Sequence, residues 1–141
     1  MIYILDACIG IKWVLPEIDS DKALALRDDF RNQVHELIAP DPFPTEVAHA
    51  LTRAERKGLI TPEDGAKKFT QLLTALPQIY PALSLLPRAY ELSSQVRLGV
   101  FDCLYIALAE REQCQCVTAD KRMLTLFPGT TISLDDLPFV T

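Results

Sequence analysis

Short β-prone apolar runs alternate with segments of helical periodicity along the 141 residues, and this alternation limits the possible folds more than any other feature. Ile2-Tyr3-Ile4-Leu5 reads as a buried strand closed by Asp6. A short helix through Lys12 and Trp13 has to stop before Pro16, and helical spacing resumes from Ser20 to Asn32. His35 to Ala39 is a second strand, ended by Pro40. Pro44 suits a first helical turn, where its missing N–H costs nothing, and Gly58 should end that helix. Thr61-Pro62-Glu63-Asp64 is a start signal with Thr as N-cap and acids in the first turn, and that helix ends at Pro77. Ile79 to Leu83 reads as a third strand, which Pro81 moves to an edge. A helix from Leu86 to Leu98 with Gly99 as its stop comes next, then a strongly apolar helix from Phe101 to Gln113. Cys116 to Ala119 is a strand, Asp120 to Phe127 a short helix, and Thr131 to Leu134 a last strand. The pattern predicts the α/β class: one domain over residues 1–141, with a mostly parallel central sheet and helices on both faces.

Hydrophobic residues make up 49% of the chain and charged residues 23%, which excludes a disordered chain. A chain this long can bury a core without a disulfide framework, and Cys114-x-Cys116 lacks a second pair at zinc spacing. Reduced, structural thiols are therefore expected. Asp6 and Lys12 interrupt the apolar start, so it does not read as a signal peptide. No stretch reaches the roughly 18 apolar residues of a membrane span, and a cytoplasmic protein without a membrane partner is expected. The net charge of −5 gives no bulk attraction for nucleic acid. Its acids concentrate in residues 1–50 and 98–141, and a basic excess lies between them.

Four acids stand where chemistry is expected. Ligands of open α/β sheets bind at the carboxyl ends of strands. Asp6 closes the first strand, Asp120 follows the Cys-Val-Thr-Ala strand, and Asp102 opens the apolar helix before it. Glu46 lies just after the second strand, at the start of the Pro44 helix. Taken alone, each Asp reads as an N-cap and Glu46 as a helix-dipole acid. Taken together they are harder to explain that way. Asp6 and Asp102 sit in MIYILDACIGI and GVFDCLYIALA, and an unpaired carboxylate buried in such surroundings is costly. Basic partners or a cation must offset the charge, and Lys12 and Lys121-Arg122 are the nearest basic residues. Oxygen ligands suit a hard divalent cation, which orients water and neutralises charge on a phosphoryl oxygen.

The segments Ile4-Leu5-Asp6-Ala7-Cys8 with Lys12-Trp13, Pro44-Thr45-Glu46-Val47, Phe101 to Ala109 and Val117-Thr118-Ala119-Asp120-Lys121-Arg122 together resemble a PIN-domain ribonuclease, most closely the VapC type of toxin. The match keeps the family's order over nearly the whole chain. The resemblance implies a Mg2+- or Mn2+-dependent endoribonuclease toxin that cuts RNA such as tRNA or rRNA. It also implies a homodimer, and inhibition by a cognate antitoxin whose C-terminal segment covers the active-site groove. By position, Asp6 and Asp102 are implied as direct metal ligands, and Glu46 and Asp120 as completing the catalytic acids. Thr118 is implied as a hydroxyl that orients a carboxylate or a metal-bound water. Cys8 departs from the Ser or Thr common in the family at that position, and a thiol is the weaker hydrogen-bond donor.

Lys12, Arg53, Arg56, Lys57, Lys67, Lys68, Arg88 and Arg97 read either as an RNA-tracking surface or as solvated helix faces. Glu46-x-x-His49 shares one helix face, but a di-iron bundle needs two such motifs. The competing reading of the whole chain is a catalytically inactive PIN-like binding or scaffold module, its acids serving as caps.

Overall fold

The computed structural model describes residues 1–138. The elements run β1 Ile2–Leu5, α1 Ala7–Val14, α2 Ser20–Arg31, β2 Glu36–Pro40, α3 Phe43–Arg56, α4 Pro62–Leu73 and β3 Gln78–Tyr80. Then come α5 Leu86–Val96, α6 Val100–Glu112, β4 Gln115–Val117, α7 Lys121–Leu126 and β5 Thr131–Ile132. All four strand pairings are parallel, in the order β3-β2-β1-β4-β5. Right-handed crossovers then place the connections from β1 through β3 on one face and those from β3 through β5 on the other. The connections leaving β1 and β4 part to opposite faces, and a crevice opens beyond the carboxyl ends of such neighbouring strands.

Local chemistry explains the element ends. After α3, Gly58 takes φ +74°, Leu59 N–H donates to Ala54 O and Gly58 N–H to Glu55 O. This closes the helix carbonyls in a Schellman motif. Thr61 Oγ1 accepts Asp64 N–H at 3.1 Å, and Pro62 occupies the first helical position. The expected glycine stop at residue 99 is corrected: Arg97 takes the left-handed cap at φ 56°, and Gly99 is the N-cap of α6. Several strands are shorter or shifted. β2 starts at Glu36 and includes Pro40, and β3 ends at Tyr80, where Pro81 cannot extend the ladder. β4 ends at Val117, leaving Thr118 and Ala119 beyond it. β5 covers only Thr131–Ile132, and a 3-10 turn follows over Leu134–Asp136.

The core lies on both sides of β1, whose Tyr3, Ile4 and Leu5 are all buried. Helix α6 is buried from Cys103 to Ala109, apolar on every side as a helix packed inside a domain must be. Trp13 belongs to this core, its Nε1 donating to Ala23 O at 2.8 Å. The four cysteines are free thiols. Among the described residues, no single helix is long and apolar enough to cross a membrane.

Helices α1 and α3 approach closely at Gly10. A Cβ there would stand 2.6 Å from Phe43 Cζ and 3.2 Å from Val47 Cγ2. Both neighbours are completely buried and have nowhere to retreat. Gly10→Ala is expected to cost about 1–3 kcal/mol by overpacking, despite the better helix propensity of Ala, as read by urea denaturation.

Candidate active site

The parallel topology gathers helix N-termini at one edge of the sheet. Asp6 is the N-cap residue of α1, Glu46 and Asp102 lie in the first turns of α3 and α6, and Asp120 is the N-cap of α7. Each acid thus meets the positive end of a helix dipole, which offsets part of their mutual repulsion. All four line one cavity of about 800 Å3, with Cys8 on its wall.

Asp6 is the most constrained of them. The register pairs Leu5 with Val117, so the next residue of each chain segment, Asp6 and Thr118, lie side by side. Thr118 Oγ1 donates to Asp6 Oδ2 at 2.6 Å, and Cys8 Sγ donates to the same oxygen at 3.0 Å. Thr118 in turn accepts Asp120 N–H at 3.0 Å, and Cys8 Sγ accepts Ala119 N–H at 3.4 Å. The thiol at position 8 therefore makes the hydrogen bonds open to a hydroxyl there. Asp6 is buried, at 4% exposure, and no side-chain cap bond uses its carboxylate. Its helix is capped through the backbone, Asp6 O accepting Ile9 N–H at 3.0 Å.

The cap reading holds for Asp120 alone. Its Oδ1 accepts Arg122 N–H at 2.8 Å and Met123 N–H at 3.3 Å. Asp102 is not a cap, since Gly99 holds that position and makes no side-chain bond. Glu46 has a partner that the sequence reading missed: the buried Tyr105 hydroxyl donates to its Oε1 at 3.0 Å. A buried phenol needs a hydrogen-bond partner, and Tyr105 stands one helical turn from Asp102. Those two facts were the available signal.

The electrostatics match the crowding. Burial, opposed by the Thr118 and Cys8 bonds, pushes the Asp6 carboxyl up, and Asp120 adds to the rise. Burial lifts Glu46 to about 7 against the Tyr105 bond, with further pressure from Asp6 and Asp102. Burial lifts Asp102 to about 6, with Asp6 and Asp120 adding repulsion and Arg122 partly relieving it. A raised carboxyl keeps its proton longer in the folded chain than in the unfolded one. Between the ordinary carboxyl range and about pH 7 the folded chain therefore binds more protons, and stability falls as pH rises. In chelator, unfolding free energy is expected to drop on the order of 1–3 kcal/mol from pH 5 to 7.5, after discounting for the half-exposed setting of Glu46 and Asp102. Glu46→Gln should flatten that slope in urea titrations at the two pH values.

The four clustered acids offer carboxylate oxygens, which suit a hard divalent cation. Among the described residues, no three His, Cys, Asp or Glu side chains close around a common point. That arrangement fits an ion such as Mg2+, which takes one or two carboxylates directly and keeps its waters, better than an all-protein cage. His49 shares the cavity wall with Glu46 as its spacing predicted, but it joins no such group.

A PIN-domain family model matches residues 3–126. Ribonuclease VapC9 of Mycobacterium tuberculosis is 31% identical over 113 residues, covering 75% of this chain and 86% of that protein. Ribonuclease VapC3 of Pyrobaculum aerophilum is 27% identical over 129 residues, covering 89% and 95%. The solved structure of PAE2754 from Pyrobaculum aerophilum matches with a TM-score of 0.72 at 18% identity, over 96% of this chain and 93% of that one. VapBC2 from Rickettsia felis, crystallised with a DNA fragment from its promoter, matches with a TM-score of 0.69 at 16% identity, over 94% and 98%. At those identities the two structural matches speak for the fold alone. The family model and the VapC relatives speak for more: the chain belongs to the PIN-domain family, in its VapC group.

Proposed function

We propose that this protein is a divalent-metal-dependent endoribonuclease, the toxin of a toxin–antitoxin pair. The observation that carries the reading is the convergence of four carboxylates, from four separate elements, on one cavity. The raised proton affinities of Asp6, Glu46 and Asp102, set first by burial and then by their mutual repulsion, supply the reason for a cation. The VapC relatives, named as ribonucleases, supply the substrate. A cognate antitoxin as protein partner belongs to the same proposal, through the VapC relatives.

In this reading Asp6 and Asp102 hold the ion directly. Bound there, Mg2+ or Mn2+ supplies charge neutralisation at a phosphoryl oxygen and a more acidic water. Thr118 and Cys8 fix the Asp6 carboxylate by donating to Oδ2, so that it would hold an ion in one orientation. Glu46, held by Tyr105 and pushed up to about 7 chiefly by burial, would act as the base that accepts a proton from water in this cavity. Asp120 spends one oxygen on the α7 backbone, and its remaining charge completes the acidic wall. A cytoplasmic location and a homodimer belong to the same proposal, as does a folded RNA such as tRNA or rRNA for substrate. The test is incubation of purified protein with total RNA, with Mg2+ or Mn2+ and with chelator. Discrete fragments that appear only with metal support the reading, and intact RNA under every condition removes it.

The scaffold alternative draws support from Asp120, which does cap a helix. The other three acids make no cap bond with their side chains, so caps do not account for the cluster.

A further inference from the structure

The cavity that holds the acids is longer than a metal site requires, and its far end is basic. Along α3 it is lined in turn by Glu46, His49 and Arg53 on one helix face, and then by Lys57 at the helix C-cap. Arg53 lies seven residues beyond Glu46 and Lys57 eleven, which is about 10 Å and about 16 Å along the axis at about 1.5 Å per residue. Ile11 of α1 and Leu15 at its C-cap add apolar lining to the same cavity.

The structure also sorts the basic residues that the sequence offered as equals. Arg88 is spent on Glu110, at 2.9 and 3.0 Å, and on Glu91. Lys12 donates to Ile18 O at 2.8 Å and pairs with Glu17 at 3.5 Å, and Lys68 pairs with Asp64. Pairing with Lys12 also offsets the one carboxylate, Glu17, that lines this wall outside the acidic cluster. Arg53 and Lys57 are exposed, line the cavity and make no ion pair among the described residues. At the acidic end stands Phe101, next to Asp102, lining the same cavity with 64% of its surface exposed.

We propose that this cavity is a track for a single-stranded stretch of RNA, with Arg53 and Lys57 as a phosphate subsite away from the cleavage point and Phe101 as a platform for a base beside it. The inference rests on the ribonuclease reading and extends it to how the strand is held. Arg53 and Lys57 therefore meet phosphates a few nucleotides away from the one at the acids, Lys57 the farther of the two. A basic pair lining the cavity of an acidic protein without ion-pair partners among the described residues has a use here: it holds the polyanion in register while the acids and their ion act on one bond. Exposed aromatic faces accept any base by stacking, and a single-stranded loop within a folded RNA presents unstacked bases for that purpose.

The test measures the affinity of a fluorescein-labelled single-stranded RNA oligonucleotide for the Asp6→Asn protein in Mg2+, from about 50 to 200 mM salt. Adding Arg53→Gln and Lys57→Gln is expected to weaken binding about tenfold or more at the low-salt end. It should also reduce the slope of log affinity against log salt by about 1.4, at about 0.7 for each phosphate left without its cation. Phe101→Ala should weaken binding about tenfold and leave the slope unchanged, because stacking releases no counterions. Lys67→Gln with Lys68→Gln, off the cavity, should change neither. In the otherwise wild-type chain, the Arg53 and Lys57 variant should raise KM for RNA and spare kcat. An equal fall in slope for the Arg53 and Lys57 pair and the Lys67 and Lys68 pair would assign the attraction to diffuse surface charge and overturn the subsite. RNA cleavage and binding that survive the Arg53 and Lys57 changes intact overturn the subsite alone. A parent chain that neither binds nor cuts RNA overturns the ribonuclease reading and the subsite with it.

Discussion

Asp6→Asn and Asp102→Asn are each expected to lower RNA cleavage by about a thousandfold or more, while the circular dichroism spectrum and the cooperative unfolding transition are kept. The magnitude follows from what each change removes. A carboxylate bound to a divalent ion contributes both ion affinity and its position, and an amide supplies neither the charge nor the same ligand strength. Folding should survive because Asn keeps an acceptor oxygen where Thr118 and Cys8 donate. Asp120→Asn is expected to be milder in activity, since Oδ1 can go on accepting the Arg122 and Met123 amides. Single-turnover cleavage of a labelled RNA measures all three. Cleavage unchanged in Asp6→Asn or Asp102→Asn contradicts the assignment of the direct ligands.

The second large effect is on stability, and its sign separates an ion site from a set of caps. Without metal, Asp6→Asn should raise the melting temperature at pH 7.5, because it removes a buried charge that Asp120, Asp102 and Glu46 all repel. A lost cap would do the opposite and cost about 1 kcal/mol. With metal the order reverses. An ion that binds only the folded chain stabilises it by about 2.7 kcal/mol at a hundred times its dissociation constant, which is several degrees for a domain of this size. Wild type should gain that shift in Mg2+ or Mn2+ and lose it in chelator, and Asp6→Asn should show little of it. Thermal melts of the two proteins, with and without metal, read both signs in one experiment.

The sheet and the acids were legible in the sequence for one reason: both depend on local chemistry. Asp6 ends an apolar strand, Asp102 opens an apolar helix, and a parallel order puts both at the carboxyl edge whatever the strand lengths. Gly58 and Thr61 also acted as read, because capping is settled by a few neighbouring residues. Less legible were the features that depend on partners distant in sequence. Tyr105 finds Glu46 across 59 positions, and only the packed fold tells that its hydroxyl needs that partner. The eight basic residues looked alike until their acids were in place; Arg88 is taken by Glu110, 22 positions away, and Arg53 has no such partner among the described residues. Strand ends were misread where pairing decides them, as at Thr118, which resembles a strand residue in sequence but lies past the β4 ladder. Thr118 N–H still donates to Ile132 O at 3.1 Å, and its side chain donates to Asp6 and accepts from the Asp120 amide.

Sharing of one ion by these acids is tested most directly by calorimetric titration of Mn2+ into the metal-free protein, in buffers of different ionisation enthalpy and at several pH values. Glu46 titrates at about 7 and Asp102 at about 6, so an ion that needs them ionised must displace their protons. The expected result is saturable binding that tightens as pH rises from about 5.5 to 8. Proton release should be largest at the acid end of that range and vanish by about pH 8.5, and Asp6→Asn should abolish the heat. Binding without proton release, or equal heat in Asp6→Asn, would place the ion elsewhere, and no heat at any pH would contradict the metal site altogether.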